Sequence, residues 1–164
     1  MHWVQALVAP EYVVNEAQRI IPQFVVCPLS QGMALVPMTA HVESALRESE
    51  FPALDPSSPL AGDMVAGIAA LAARLSALGP VVYAATFIWG GEGSQDAIVW
   101  EGGEVALALH DGKDDPSKWP DSAISRALRK VGVRAAERQD EFDAIGFGLH
   151  RSNDAWAKAH TRGA

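Results

Sequence analysis

The sequence contains a single cysteine among its 164 residues, which excludes an intramolecular disulfide and an all-cysteine zinc site. Basic residues are also scarce: 13 lysines and arginines stand against 20 aspartates and glutamates, for a formal net charge of −7. Proteins that bind a nucleic-acid backbone rely on lysine and arginine contacts to phosphates. We therefore expect no nucleic-acid partner.

No apolar stretch of the sequence has the character of a membrane span. Residues 20–40 are uncharged, but three prolines among them would break a helix, and residues 75–91 contain Gly79-Pro80. The N-terminal segment has no basic residue before Glu11, so a signal peptide is not expected. These features predict a cytoplasmic protein with no membrane partner.

The overall composition is that of an ordinary globular protein, with 49% apolar and 20% charged residues. The length suits one domain, and the sequence has neither repeats nor a linker. We expect a single domain over residues 1–158, followed by a frayed C-terminal tail over residues 159–164.

The hydrophobic pattern predicts an α+β fold, with a mixed or mostly antiparallel sheet packed against a central alanine-rich helix and further helices. The central helix is expected over residues 60–78, capped by Ser58 and ended by Gly79-Pro80. Further helices are predicted over residues 11–21, after Thr39 and after Asp121 as caps. Strands are predicted over residues 2–8, 24–27, 33–36, 80–89, 95–100 and 104–109.

The glycine-rich segment over residues 89–95 resembles a phosphate-binding loop only superficially. Strands are predicted on both sides of it, and no Lys-Ser/Thr pair opens a helix after it, so we interpret it as a connection between strands. The other glycine pair, Gly102-Gly103, is typical of a two-residue hairpin turn, which would place Glu101 opposite Glu104.

The polar residues do not form a recognisable catalytic or metal-binding set. Cys27 lies in an apolar run, where a neutral buried thiol is the expected state. His110 and Asp111, with Asp114 and Asp115, could approach a hard cation, but such a run is more often a solvated loop. We therefore predict no metal, no cofactor and no enzymatic activity.

Three segments carry a family resemblance: CPLSQGMALVPMT (27–39), WGGEGSQDAIVW (89–100) and DEFDAIGFGLHR (140–151). They resemble small uncharacterised bacterial proteins that are similar to immunity proteins of polymorphic contact-dependent toxin systems. The resemblance implies a binding role and brings no catalytic residue with it.

The leading hypothesis is therefore an immunity-like protein that binds and neutralises a cognate toxin, and the acidic charge would speed its encounter with a basic one. The candidate partner-binding residues are Trp89, Glu92, Glu101, Glu104, Asp114 and Asp115.

Two alternatives remain open. The first is a small ligand-binding domain or enzyme with a pocket beside residues 90–95, using Glu92, Gln95 or His110, and the second is a structural or regulatory subunit. A pocket lined by those side chains would favour the ligand-binding alternative, and an open acidic face would favour toxin binding.

Overall fold

The structure is a computed structural model that describes residues 1–62, 64–114 and 117–161. Its elements, in chain order, are β1 (His2–Pro10), α1 (Glu11–Ile20), β2 (Cys27–Pro28), β3 (Met33–Pro37), α2 (Ala40–Arg47), α3 (Ile68–Leu75), β4 (Val81–Trp89), β5 (Glu92–Glu101), β6 (Glu104–Asp111), α4 (Ala123–Lys130), α5 (Glu141–Ile145) and α6 (Asn153–His160).

In the described part of the chain, all six strands form one sheet in the order β2-β3-β1-β4-β5-β6. Each neighbouring pair is antiparallel, including the pair β2–β3 that the sequence predicts. The chain is thus a single α+β domain with an antiparallel sheet, and this prediction is confirmed.

Helices cover both faces of the sheet, which produces three layers. On the first face, Leu7 and Ala9 of β1 share a core with α1, α2 and α3. On the second face, Val4, Ala6 and Val8 of the same strand share a core with α4 and with Trp156 of α6. The four consecutive residues Ala6 to Ala9 of β1 are buried on both faces of the sheet, which accounts for their unbroken apolar sequence.

The prediction of a central helix over residues 60–78 is wrong in its first half. The helix α3 covers only Ile68–Leu75 and begins after Gly67, whose φ of +84° is left-handed. A β-carbon at Gly67 would lie 3.0 Å from the carbonyl oxygen of Phe51, so tertiary contact sets this boundary. The second half is as expected, because Leu71 and Leu75 are buried in the core of the first face.

Helix caps and strand ends account for the smaller differences. Thr39 caps α2 as predicted, whereas α4 is capped by Ser122, whose hydroxyl accepts from the amide of Ser125 at 3.3 Å. The predicted cap, Asp121, instead pairs with Arg129 at 3.0 Å. Of the strand expected over residues 24–27, only Cys27 is in β2.

The C-terminal part is more regular than its polar sequence indicates. The helix α6 is capped by Ser152 and continues to His160, two residues beyond the expected end of the domain at 158. Its one buried residue is Trp156. Among the described residues, no helix combines the length and the apolar character that crossing a membrane requires.

Candidate functional site

One end of the first face is left uncovered by helices, and the sheet forms a cleft there. The space measures about 780 Å³, within the range of roughly 300–1,000 Å³ that is usual for small-molecule sites. We call this space the aromatic cleft. Its described lining residues are Trp3, Gln5, Pro59, Leu60, Gly62, Met64, Tyr83, Ala85, Thr86, Phe87, Ser94, Asp96, Ile98, Ala108, Leu109 and His110.

Strand alternation explains why most of these side chains meet. Residues at every second position of a strand point to one face, and directly paired residues in neighbouring strands point to the same face. Trp3 pairs with Phe87 between β1 and β4, and Phe87 pairs with Ser94 between β4 and β5. The opposite border is formed by residues that precede α3 in the chain: Pro59, Leu60, Gly62 and Met64.

Trp3 and Phe87 form the apolar wall of the cleft. Their ring centroids are 5.5 Å apart and the rings are nearly perpendicular, at 85°. About half of each residue is exposed, 53% for Trp3 and 49% for Phe87. Aromatic side chains in such a concave, half-exposed position are typical of binding hot spots.

The polar corner of the cleft is formed by Asp96 and His110. They are paired across β5 and β6, and Oδ1 of Asp96 lies 2.6 Å from Nδ1 of His110. The His110 ring also packs over Gly112, where a β-carbon would lie 3.0 Å from Nε2. A carboxylate that orients a histidine in this way can support proton transfer. Within the described residues, however, no hydrogen bond joins Ser94 to His110 as nucleophile and base.

The charge of the cleft comes from this corner. No lysine or arginine is among the described residues that line it, and Asp96 is its one described carboxylate. The surface therefore presents aromatic rings and a negative charge together.

Trp89 and Glu92 lie at the same end of the sheet, on either side of the two-residue turn Gly90-Gly91. Both are exposed, although neither lines the aromatic cleft. The glycine-rich segment is therefore a connection between strands, as predicted. It is shorter than expected, because β5 begins at Glu92.

Glu101 and Glu104 lie at the opposite end of the sheet. They face each other across Gly102-Gly103, which confirms the predicted hairpin. Glu92 and Glu101 are nine positions apart along β5, a distance of about 30 Å at the rise of an extended strand. Successive turns of an antiparallel sheet lie at alternate ends, so the acidic candidates cannot form one surface.

The remaining acidic candidates follow β6. Asp114 comes three residues after the end of this strand, whose last residue pairs with Gln95 near the cleft. Asp115 lies outside the described residues.

Gln95 and Asp111 have structural roles on the second face. Oε1 of Gln95 accepts from the amide of Ile124 at 3.1 Å, and Oδ2 of Asp111 accepts from the amide of Ala123 at 2.6 Å. Both hold the N-terminus of α4 against the sheet. Asp111 therefore points away from His110. Within the described residues, no group of three or more histidine, cysteine or acidic side chains could hold a metal ion.

Cys27 is fully buried in the core of the second face. Burial raises the pKa of its thiol to about 12, so the group is neutral at physiological pH. The prediction of a buried neutral thiol is confirmed.

A second cluster of charged side chains joins α4 to α5 through an ion pair. Arg129 donates from Nε to Oε1 of Glu141 at 2.8 Å and from Nη2 to Oε2 at 3.2 Å, while Nη1 donates to Asp121 at 3.0 Å. These carboxylates raise the pKa of the guanidinium further. Its donors are thus used within the fold.

Sequence reasoning named His110 but missed Trp3, Phe87 and Asp96. Comparison with protein-family models, with curated proteins and with solved structures finds no match for this chain. The geometry of the aromatic cleft is therefore the basis of the functional argument.

Proposed function

We propose that this protein is a cytoplasmic, immunity-like protein that binds and neutralises a cognate bacterial toxin, acting by binding rather than by catalysis. The observation that carries the proposal is the half-exposed pair Trp3–Phe87 beside Asp96. Exposed aromatic side chains in a concave surface provide much apolar area to bury against a partner.

Charge supports a basic partner. Glu92 lies at the same end of the sheet as the aromatic cleft, and Asp114 follows the end of β6, where Asp111 pairs with Gln95. The whole chain has a net charge of −7. Such a surface attracts a basic protein over several ångströms and speeds its association, most strongly at low salt.

Co-expression with a candidate toxin, recovered by a pull-down from the native organism, tests the function. Wild-type protein should restore growth, and the purified pair should associate. Phe87→Ser should weaken the affinity about tenfold or more, as expected for a hot-spot residue. Val105→Ser is the matched control, because Val105 is a strand residue of similar exposure, 44%, near the opposite end of the sheet. Absence of protection by the wild type would contradict the proposal.

Charge reversal locates the binding face. At about 0.15 M ionic strength, where charges are screened beyond about 8 Å, Glu92→Lys should slow association more than the double variant Glu101→Lys/Glu104→Lys does, because the charges of the double variant lie about 30 Å away. If the double variant slows association more than Glu92→Lys does, the partner binds at the Gly102-Gly103 turn, through Glu101 and Glu104.

A small ligand-binding domain is the second candidate, and the volume of the aromatic cleft favours it. A space of about 780 Å³ exceeds what a single anchoring side chain of a partner would fill. Of the polar groups expected for this alternative, His110 lines the cleft, and Glu92 and Gln95 do not.

A further inference from the structure

The aromatic cleft combines three features that together select a ligand class. Its wall is aromatic, its sides are apolar through Leu60, Met64 and Ile98, and its polar corner holds a carboxylate. Among the described lining residues there is no cationic side chain other than a protonated form of His110.

The carboxylate of Asp96 has a free acceptor position. Oδ1 is occupied by Nδ1 of His110, whereas Oδ2 has no hydrogen-bond donor among the described residues. An exposed carboxylate oxygen favours an ammonium group, because the cation can donate a charge-assisted hydrogen bond to it.

We propose that the aromatic cleft binds a small organic amine, with its ammonium group at Asp96 and a planar aromatic body against Trp3 and Phe87. The rings of Trp3 and Phe87 are nearly perpendicular. A flat aromatic ring of the ligand can therefore stack against one of them and make an edge-to-face contact with the other. This inference rests on the ligand-binding candidate and is independent of toxin neutralisation.

Other ligand classes fit less well. An anion would approach Asp96 without a lysine or arginine among the described lining residues to balance its charge. A purely apolar ligand would cover the Asp96–His110 corner without replacing the water that solvates it, which costs free energy.

Three compounds that share an indole ring but differ in the charge of the side chain test the proposal. Tryptamine is a cation at neutral pH, indole is neutral, and indole-3-propionate is an anion. Calorimetric titration of the 164-residue protein should detect tryptamine binding, at an affinity about tenfold or more above that of indole-3-propionate, with indole between them.

Asp96→Asn should lower the tryptamine affinity about tenfold and leave indole binding unchanged, since the amide keeps the shape and loses the charge. Glu104→Gln, which removes one exposed charge at the opposite end of the sheet, should change neither. Equal affinities for the three compounds, tighter binding of the anion, or no tryptamine binding up to about 10 mM would overturn the inference.

The two proposals fail in different ways. Loss of tryptamine binding with toxin protection intact overturns only the amine site. Selective tryptamine binding by a protein that protects against no toxin supports the amine site and contradicts the immunity-like function.

Discussion

Arg129 joins two carboxylates of very different exposure, and this difference allows a quantitative prediction. The Glu141 side chain is only 7% exposed, whereas the Asp121 side chain is 59% exposed. Replacing Arg129 by methionine would leave the Glu141 carboxylate buried without its partner. Removing one partner of a buried ion pair is destabilising because the other charge is then uncompensated.

The magnitude follows from the two hydrogen bonds that Arg129 makes to Glu141. Hydrogen bonds to charged groups contribute about 1.5–3 kcal/mol each. The Arg129 side chain is 47% exposed, and solvent weakens the pair. We therefore expect Arg129→Met to lower the free energy of unfolding by about 2–4 kcal/mol, whereas Asp121→Asn should cost less than about 1 kcal/mol.

Urea unfolding followed by tryptophan fluorescence measures these differences, and an unchanged m-value would confirm that the unfolded states are comparable. In thermal unfolding, Arg129→Met should lower Tm by about 4–16 °C for a chain of this length. The double variant Arg129→Met/Glu141→Gln should recover part of the loss, because no buried charge remains. An Arg129→Met variant no less stable than Asp121→Asn would refute this reasoning.

Three further predictions test the core and the buried titratable groups. Leu71→Ala should lower the free energy of unfolding by about 2–5 kcal/mol, and the exposed control Leu78→Ala by less than about 0.5 kcal/mol; equal losses would contradict the placement of α3. Burial lowers the pKa of His2 in the folded state, so the stability it contributes is present above about pH 6.5 and lost as pH falls through the folded value. Between about pH 7.5 and 5, the free energy of unfolding should therefore depend more steeply on pH for the wild type than for His2→Gln. An equal pH dependence of the two proteins would contradict this prediction. Cys27 should react with a thiol reagent roughly a thousandfold more slowly in the native than in the unfolded protein, and comparable rates would show that the thiol is accessible.

The sequence predicts well those elements that begin or end at a proline or a glycine pair. Pro10 separates β1 from α1, and Gly102-Gly103 joins β5 to β6, and both boundaries lie within a residue or two of their predicted places. In each case the signal is local, because proline and glycine restrict or permit particular backbone angles.

The errors arise where tertiary contact overrides local preference. Residues 60–78 are rich in alanine and leucine, and an isolated glycine is tolerated in a helical pattern, so Gly67 gave no reason to shorten the helix. Its left-handed backbone and its contact with Phe51 become apparent only in the folded chain. The helix α6 escaped prediction because it is eight residues long and buries one side chain, which leaves little periodic signal.

The contact between Trp3 and Phe87 in the aromatic cleft could not be predicted from local sequence patterns, for a different reason. Trp3 and Phe87 are 84 positions apart, and their pairing depends on the register between β1 and β4, for which no short turn exists in the sequence. The pairing of Phe87 with Ser94, by contrast, follows from the Gly90-Gly91 turn. The sequence analysis did not predict this pairing, because it treated residues 90–95 as a longer connection between strands.

The meeting of Asp96 and His110 depends on a single irregularity in the sheet. From the turn at Gly102-Gly103, regular pairing would place Leu109 opposite Asp96 and direct His110 to the second face. The register shifts between Val99 and Trp100, so that Trp100 pairs with Val105 but Val99 pairs with Leu107. Ala106 is thus an extra residue in β6, and a shift of one residue reverses the face of every side chain that follows. The bulge brings His110 to the first face beside Asp96, and it turns Leu107 and Leu109 towards the core of the second face. The same irregularity therefore completes the packing of the edge strand and builds the polar corner of the aromatic cleft.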